Sequence, residues 1–222
     1  MSKKKILLLS DDLRMHSGIA TQAKEFVMGT LDKYDWCQLG GAVKHPEQGK
    51  IVDMSQAAQN EYGVKDACWV ETGTYYGTTT SYLSGLFPHV YSVEPEPTLY
   101  AAACKRFKGK NVSLFNDVSE NIFPSLLPKL SGNINFWLDG HYSAGVTFKG
   151  EKDCPVEDEL IAIEQNLNNF NKISILIDDV RCFLPNNSSY SDYPSIDYLV
   201  DWARRMNFHW RIEHDIFIMQ KK

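Results

Sequence analysis

The sequence predicts an α/β protein built on a doubly wound, Rossmann-like sheet, mostly parallel with an antiparallel strand near the C-terminus, preceded by a βα extension. Three observations carry that expectation. Short β-rich runs alternate with stretches of helical periodicity along most of the 222 residues. Several of those runs are continuously apolar rather than alternating, the pattern of parallel strands covered on both faces. The last two runs stand back to back across His214 and Asp215, which places a hairpin, and with it an antiparallel pair, near the end of the sequence.

Taken in order, residues 6–9 read as a strand and 19–34 as an amphipathic helix, with Gly40, Gly41, Pro46 and Gly49 marking a loop after them. That is one βα unit, too small to stand alone, so residues 1–56 are expected as an extension and 57–222 as the main domain. Strands follow at 68–71, 90–93, 112–115, 134–138 and 173–177. A helix at 155–170 is expected because Val156, Leu160, Ile163, Leu167 and Phe170 step by fours and threes, and Pro155 suits a first turn. Residues 195–206 repeat the pattern through Ile196, Leu199, Val200, Ala203 and Met206, and strands at 208–212 and 215–219 close the chain.

Composition narrows the function classes. Hydrophobic residues at 43% and charged residues at 23% exclude a disordered chain or a rod. With 23 Lys+Arg against 28 Asp+Glu, the broad basic footprint of a protein that neutralises phosphates is missing, so nucleic acid is not expected as a main partner. Cys37, Cys68, Cys104, Cys154 and Cys182 form no CxxC or zinc-type spacing and read as reduced thiols. The apolar run at 6–9 is far short of the ~20 residues that span a bilayer, so the expectation is a cytoplasmic protein with no membrane partner.

The first chemical signal is the turn Glu71-Thr-Gly73-Thr74-Tyr-Tyr-Gly77-Thr78, which follows a strand and opens a helix. Glycines there let the backbone turn tightly and approach a ligand, and the helix start offers unpaired N–H groups. Glu71, Gly73, Thr74, Gly77 and Thr78 are therefore candidate cofactor-binding residues. Glu94 ends the next strand roughly twenty residues on, the spacing by which this architecture brings an acid to ribose hydroxyls. Asp117 and the backbone N–H of Val118, after the following strand, are candidates to face an adenine ring. A dinucleotide loop would open with glycine where this chain has Glu71, and an acid there repels pyrophosphate. It suits an amino-bearing ligand without phosphates, such as S-adenosylmethionine. A glycine-containing turn that binds nothing is the alternative.

Asp139, Asp178 and Asp179 end later strands, where carboxylates that converge would supply oxygen ligands for a hard cation such as Mg²⁺. Capping or solvated carboxylates are the rival reading. His141, two residues past Asp139, could take a proton from an acceptor hydroxyl, with a structural histidine as its alternative. Gly140, Gly145 and Gly150 around Tyr142, Thr147 and Lys149 form a polar loop that could close over substrate.

The words VETGTYYGTTT, YSVEPE, FWLDGHYSAGVTFKGEKDCPVEDEL and ILIDDVRCF make residues from about 57 to 222 resemble the class I S-adenosylmethionine-dependent methyltransferases of a bacterial and phage group. The resemblance implies the seven-stranded sheet of those enzymes, with Glu71, Gly73, Gly77 and Glu94 around the cofactor. Asp139, Asp178 and Asp179 are also similar to the strand-end aspartates that hold the metal in magnesium-dependent sugar O-methyltransferases. Where that group commonly has another acid as base, this chain has His141. Residues 1 to about 55 resemble instead the opening strand, glycine loop and helix of GT-B glycosyltransferases, with Gly18 the matching glycine.

The expectation is thus an S-adenosylmethionine-dependent O-methyltransferase for a small, sugar-like acceptor, with Asp139 and His141 as catalytic residues, homo-oligomerisation left open, and Mg²⁺ as a further cofactor. The alternatives are an inactive methyltransferase-fold interaction protein and a residual glycosyltransferase role.

Overall fold

The computed structural model describes residues 3–11, 18–41, 55–141, 153–184 and 192–221. The chain divides into two compact units, Met1–Val52 and Asp53–Lys222.

In the first unit, β1 (Lys4–Asp11), α1 (Gly18–Met28) and β2 (Tyr34–Gly41) form a βαβ unit rather than the expected βα. The two strands pair in parallel, from Lys4 opposite Tyr34 to Asp11 opposite Gly41. The helix expected through residue 34 stops at Met28. Gly29 follows it, and the Thr30 hydroxyl bonds the Phe26 carbonyl at 2.8 Å, so the last turn closes on itself. Beyond it, Tyr34 and Trp36 favour an extended chain, and the Trp36 ring meets Phe26 and Tyr34 edge-on. Pro46 and Gly49 lie outside the described residues.

The second unit runs α2 (Ser55–Tyr62), β3 (Cys68–Thr72), α3 (Thr78–Leu86), β4 (Val90–Val93), α4 (Pro97–Arg106), β5 (Val112–Phe115), α5 (Ser119–Leu126), β6 (Gly132–Leu138), α6 (Val156–Asn166), β7 (Phe170–Ile177), α7 (Ile196–Arg205), β8 (His209–Glu213) and β9 (Ile216–Lys221). Its strands form one seven-stranded sheet in the order β5-β4-β3-β6-β7-β9-β8. Strands β3 to β7 are mutually parallel, and β9 is antiparallel to both β7 and β8. The fold is therefore the expected α/β Rossmann-like one, with its antiparallel strand near the C-terminus. The helix expected over 155–170 is shorter: a 3-10 turn, Leu167–Asn169, intervenes before β7 starts at Phe170.

Continuous apolar runs are explained by the two cores they feed. Adjacent residues alternate between faces, so Val70, Phe136 and Ile175 join one core with Phe123, Leu160, Leu199 and Trp202. Trp69, Trp137 and Leu176 join the other with Leu83, Phe87 and Ile218. Each such side chain contributes roughly 1.5–3 kcal/mol of apolar burial, and both faces of the central strands need it. The β8–β9 turn consists of His214 and Asp215, both left-handed at φ 52° and 66°, as two-residue hairpins between right-twisted strands favour. The cysteines form no disulfide. Among the described residues, no helix is long and apolar enough to cross a membrane.

Candidate functional site

The register places the chemistry at one edge. Thr72 lies opposite Val93 and Leu138, Val93 opposite Phe115, and Leu138 opposite Ile177, so these residues form one row across five strands. The residues that follow them, Gly73, Glu94, Asn116, Asp139 and Asp178, leave the sheet together at its carboxyl edge. The order of strand addition reverses between the parallel neighbours β3 and β6, where this architecture opens a ligand crevice.

Glu71 sits one position inside that edge, opposite Ser92. It is fully buried. Its Oε2 accepts the Thr80 hydroxyl from the first turn of α3 and the Ser92 hydroxyl, each at 2.5 Å, and Ser92 shares a 2.6 Å hydrogen bond with Thr74. Its Oε1 meets no donor among the described residues. Burial pushes the carboxyl up to about 7, against the two hydroxyl bonds that favour its ionised form. A buried carboxylate oxygen without a donor suits an ammonium group, so this observation fits the amino-bearing cofactor.

Gly73 and Gly77 are both left-handed, at φ 84° and 72°. What forbids a side chain is the protein itself: a Cβ at Gly73 would lie 2.3 Å from the Asp139 carbonyl oxygen, and one at Gly77 would lie 2.7 Å from the Phe107 ring. The turn is thus glycine-rich because β3 and β6 converge there and α4 packs closely. Glu94 is buried and accepts the N–H groups of Tyr75 at 2.7 Å and Glu96 at 3.0 Å, one on each oxygen, which leaves each oxygen a lone pair for a ribose hydroxyl. Thr74 is buried, whereas Thr78 is exposed at the start of α3. The Val118 N–H bonds the Asp117 carboxylate at 2.8 Å, and Asn121 bonds the same oxygen at 2.9 Å. Asp117 is thus engaged at the start of α5, with the Val118 donor turned to it.

On the other side of the crevice the structure brings Asp139, His141 and Asp179 together. His141 Nε2 lies 2.9 Å from Asp179 Oδ2, and its Nδ1 lies 3.6 Å from Asp139 Oδ1. Burial opposes a charged ring, but the Asp179 hydrogen bond and the Asp139 charge outweigh it and raise the His141 pKa. Asp179 is shifted down, chiefly by the His141 bond. Asp139 is pushed well up by desolvation, against the pull of His141 and with help from the neighbouring carboxylates of Asp178, Asp179 and Glu71. The second oxygen of Asp179 lies 2.6 Å from Arg181 Nη1. Asp178 turns back to accept the Asp179 N–H at 2.8 Å.

Among the described residues, no group of three or more His, Cys, Asp or Glu side chains is arranged to hold a metal ion. Asp179 Oδ1 already faces the Arg181 guanidinium and Oδ2 the His141 ring, so this donor set does not fit a divalent metal. The loop around Tyr142, Thr147 and Lys149, with Gly145 and Gly150, lies outside the described residues.

Glu159 is the site residue that the sequence reading missed. It is fully buried in the first turn of α6, and its Oε1 would stand 3.5 Å from a Cβ at Gly140. Burial raises its carboxyl to about 7. Neither oxygen meets a donor in hydrogen-bonding geometry among the described residues, although the nearby Ser119 and Thr72 hydroxyls favour the charged form. Its signal was its place three residues after Val156 and four before Ile163, on the apolar stripe. Ser92 and Thr80 were likewise passed over, Ser92 being the one polar residue inside β4.

Fold and edge together define an α/β protein of the doubly wound class with a carboxylate-rich crevice at its switch point. No protein-family profile matches the chain, and no curated protein sequence matches it. Among solved structures it is similar in fold to SMU.1697c of Streptococcus mutans in complex with SAH, at 16% identity over 81% of this chain and 99% of that one, with a TM-score of 0.48. It is similar to precorrin-6y C5,15-methyltransferase of Geobacter metallireducens at 14% identity, 82% and 94% coverage and a TM-score of 0.48. For the 23S rRNA methyltransferase ErmE the values are 12%, 75%, 66% and 0.49.

Proposed function

We propose that the chain is an S-adenosylmethionine-dependent methyltransferase that methylates a hydroxyl of a small, sugar-like acceptor, with residues 57–222 as the domain responsible. The observation that carries this reading is the buried, donor-less Oε1 of Glu71 beside the Gly73 turn. Glu71 would receive the amino group of the cofactor, and Glu94 would take its ribose hydroxyls on the lone pairs that Tyr75 and Glu96 leave. When bound, the cofactor supplies a methyl carbon made electrophilic by its sulfonium.

His141 is the proton acceptor in this proposal. In this proposal Nε2, 2.9 Å from Asp179, donates to that carboxylate, and Nδ1, on the Asp139 side, takes the acceptor's hydroxyl proton while the oxygen–methyl bond forms and the sulfur–methyl bond breaks. The protein's main contribution is to hold nucleophile and methyl group in line. Asp139 orients the ring and the acceptor. No step requires a metal, so exhaustive chelation should leave turnover unchanged; a loss restored by Mg²⁺ would overturn this metal-free scheme. Titration calorimetry with S-adenosylmethionine tests the whole reading. Binding weakened at least tenfold by Glu71→Gln is the expected result, and absence of binding to the unsubstituted protein at millimolar cofactor ends the proposal.

A further inference from the structure

Arg181 and Asp215 have no part in the scheme above, yet an unbroken series of contacts joins them to His141. The guanidinium that lies 2.6 Å from Asp179 Oδ1 also pairs with the Asp215 carboxylate. Backbone bonds run alongside. Asp215 Oδ1 accepts the Arg181 N–H at 2.9 Å, and the Asp215 carbonyl accepts the Val180 N–H at 2.9 Å. A third, from the Cys182 N–H to the Asp179 carbonyl at 2.8 Å, tightens the turn after β7. Asp179 and Asp215 both sit at left-handed φ, 56° and 66°, Asp215 as part of the hairpin turn and Asp179 at the turn after β7.

An exposed ion pair alone has little influence on a structure. Here one guanidinium is shared by two carboxylates, and the two loops it joins are also bonded through their backbones. We infer that Arg181 and Asp215 are positioning residues that act on His141 through Asp179. The β8–β9 turn clamps the loop after β7 so that Asp179 offers Oδ2 to Nε2 and thereby selects which ring nitrogen carries the hydrogen. The inference rests on the methyl-transfer reading of His141. If Arg181 is lost, Asp179 Oδ1 loses the guanidinium beside it, the carboxylate swings toward water, and its hold on Nε2 loosens.

The tautomer of His141 in the full-length protein reports this directly, without any acceptor. Long-range proton–nitrogen spectra of histidine-labelled protein would be recorded at a pH where the ring is neutral, with His141→Gln assigning its signals. The unsubstituted protein should show the Nε2–H form. Arg181→Gln should reduce that preference at least tenfold, and Arg181→Lys should restore part of it. Asp215→Asn, which tolerates a left-handed backbone and keeps an oxygen for the Arg181 N–H, should give a smaller, several-fold loss. Cofactor affinity should stay within twofold throughout.

An Nδ1–H form in the unsubstituted protein overturns the inference, as does an unchanged tautomer in both folded variants. If Arg181→Gln unfolds the protein, Asp215→Asn alone decides, with unchanged signals counting against the clamp. Failure of the unsubstituted protein to bind S-adenosylmethionine would overturn the methyl-transfer reading instead, and the spectra would still decide whether the clamp sets the ring.

Discussion

Burial holds the Glu71 carboxyl at about 7, close to the pH at which the proposed scheme needs it charged to receive an ammonium group. With its carboxyl at about 7, cofactor binding below that pH must first expel a proton. Affinity for S-adenosylmethionine should therefore rise as pH increases from 6 to 8 and flatten above, and calorimetry in buffers of different ionisation enthalpy should register proton release. Glu71→Gln should bind weakly with no such slope. At Gly73 the constraint is steric. Alanine there meets both a left-handed φ and the Asp139 carbonyl, so Gly73→Ala should cost more than about 2 kcal/mol in urea denaturation. Glutamates 71 and 94 were legible because strand-end acids at that spacing have a chemical use. The collision partner of Gly73 was not, since Asp139 lies far along the chain and reaches the turn only through the pairing of β3 with β6.

Strand β6 also holds the approach to β3. Asn135, fully buried, donates to the Val64 carbonyl at 3.0 Å and accepts the Val64 N–H at 2.7 Å, which fixes the segment between α2 and β3. Asn135→Leu would leave a buried N–H and C=O unsatisfied, and chemical denaturation should show a loss of about 2–5 kcal/mol. At this scale the parallel strands were readable because each is a compact apolar run bounded by turn residues. Strand β2 was not, because Tyr34–Gly41 mixes aromatic, charged and glycine residues and becomes a strand by pairing with β1. Helix α2 escaped for a related reason: its sequence, SQAAQNEY, lacks a broad apolar stripe, and among its described side chains Gln59 and Tyr62 are the buried ones.

For the whole second unit, two buried carboxyls shape the response to pH. Glu71 and Glu159 titrate near 7 in the folded protein and near 4.5 when unfolded, so between those values the native state holds more protons than the unfolded one. Their contribution is fully present at acid pH and is lost as pH rises through that window, by roughly 3 kcal/mol for each carboxyl. The urea midpoint should fall between pH 5 and 7.5, with the raised carboxyl of Asp139 adding to the fall, and Glu159→Gln should remove only the share of Glu159. A slope unchanged by the substitution would mean that Glu159 is not buried as described. Removal of residues 1–54 should leave cofactor affinity within twofold, because every residue proposed to face the cofactor belongs to Asp53–Lys222.

Strand β9 is made after β8 yet lies inside it, between β8 and β7. During synthesis β8 therefore emerges with no neighbour to join, and the rim of β7 stays open until Ile216–Lys221 follows. Those six residues act as a wedge: a chain cut short before them would shed two strands at once, and with them the turn that grips Arg181.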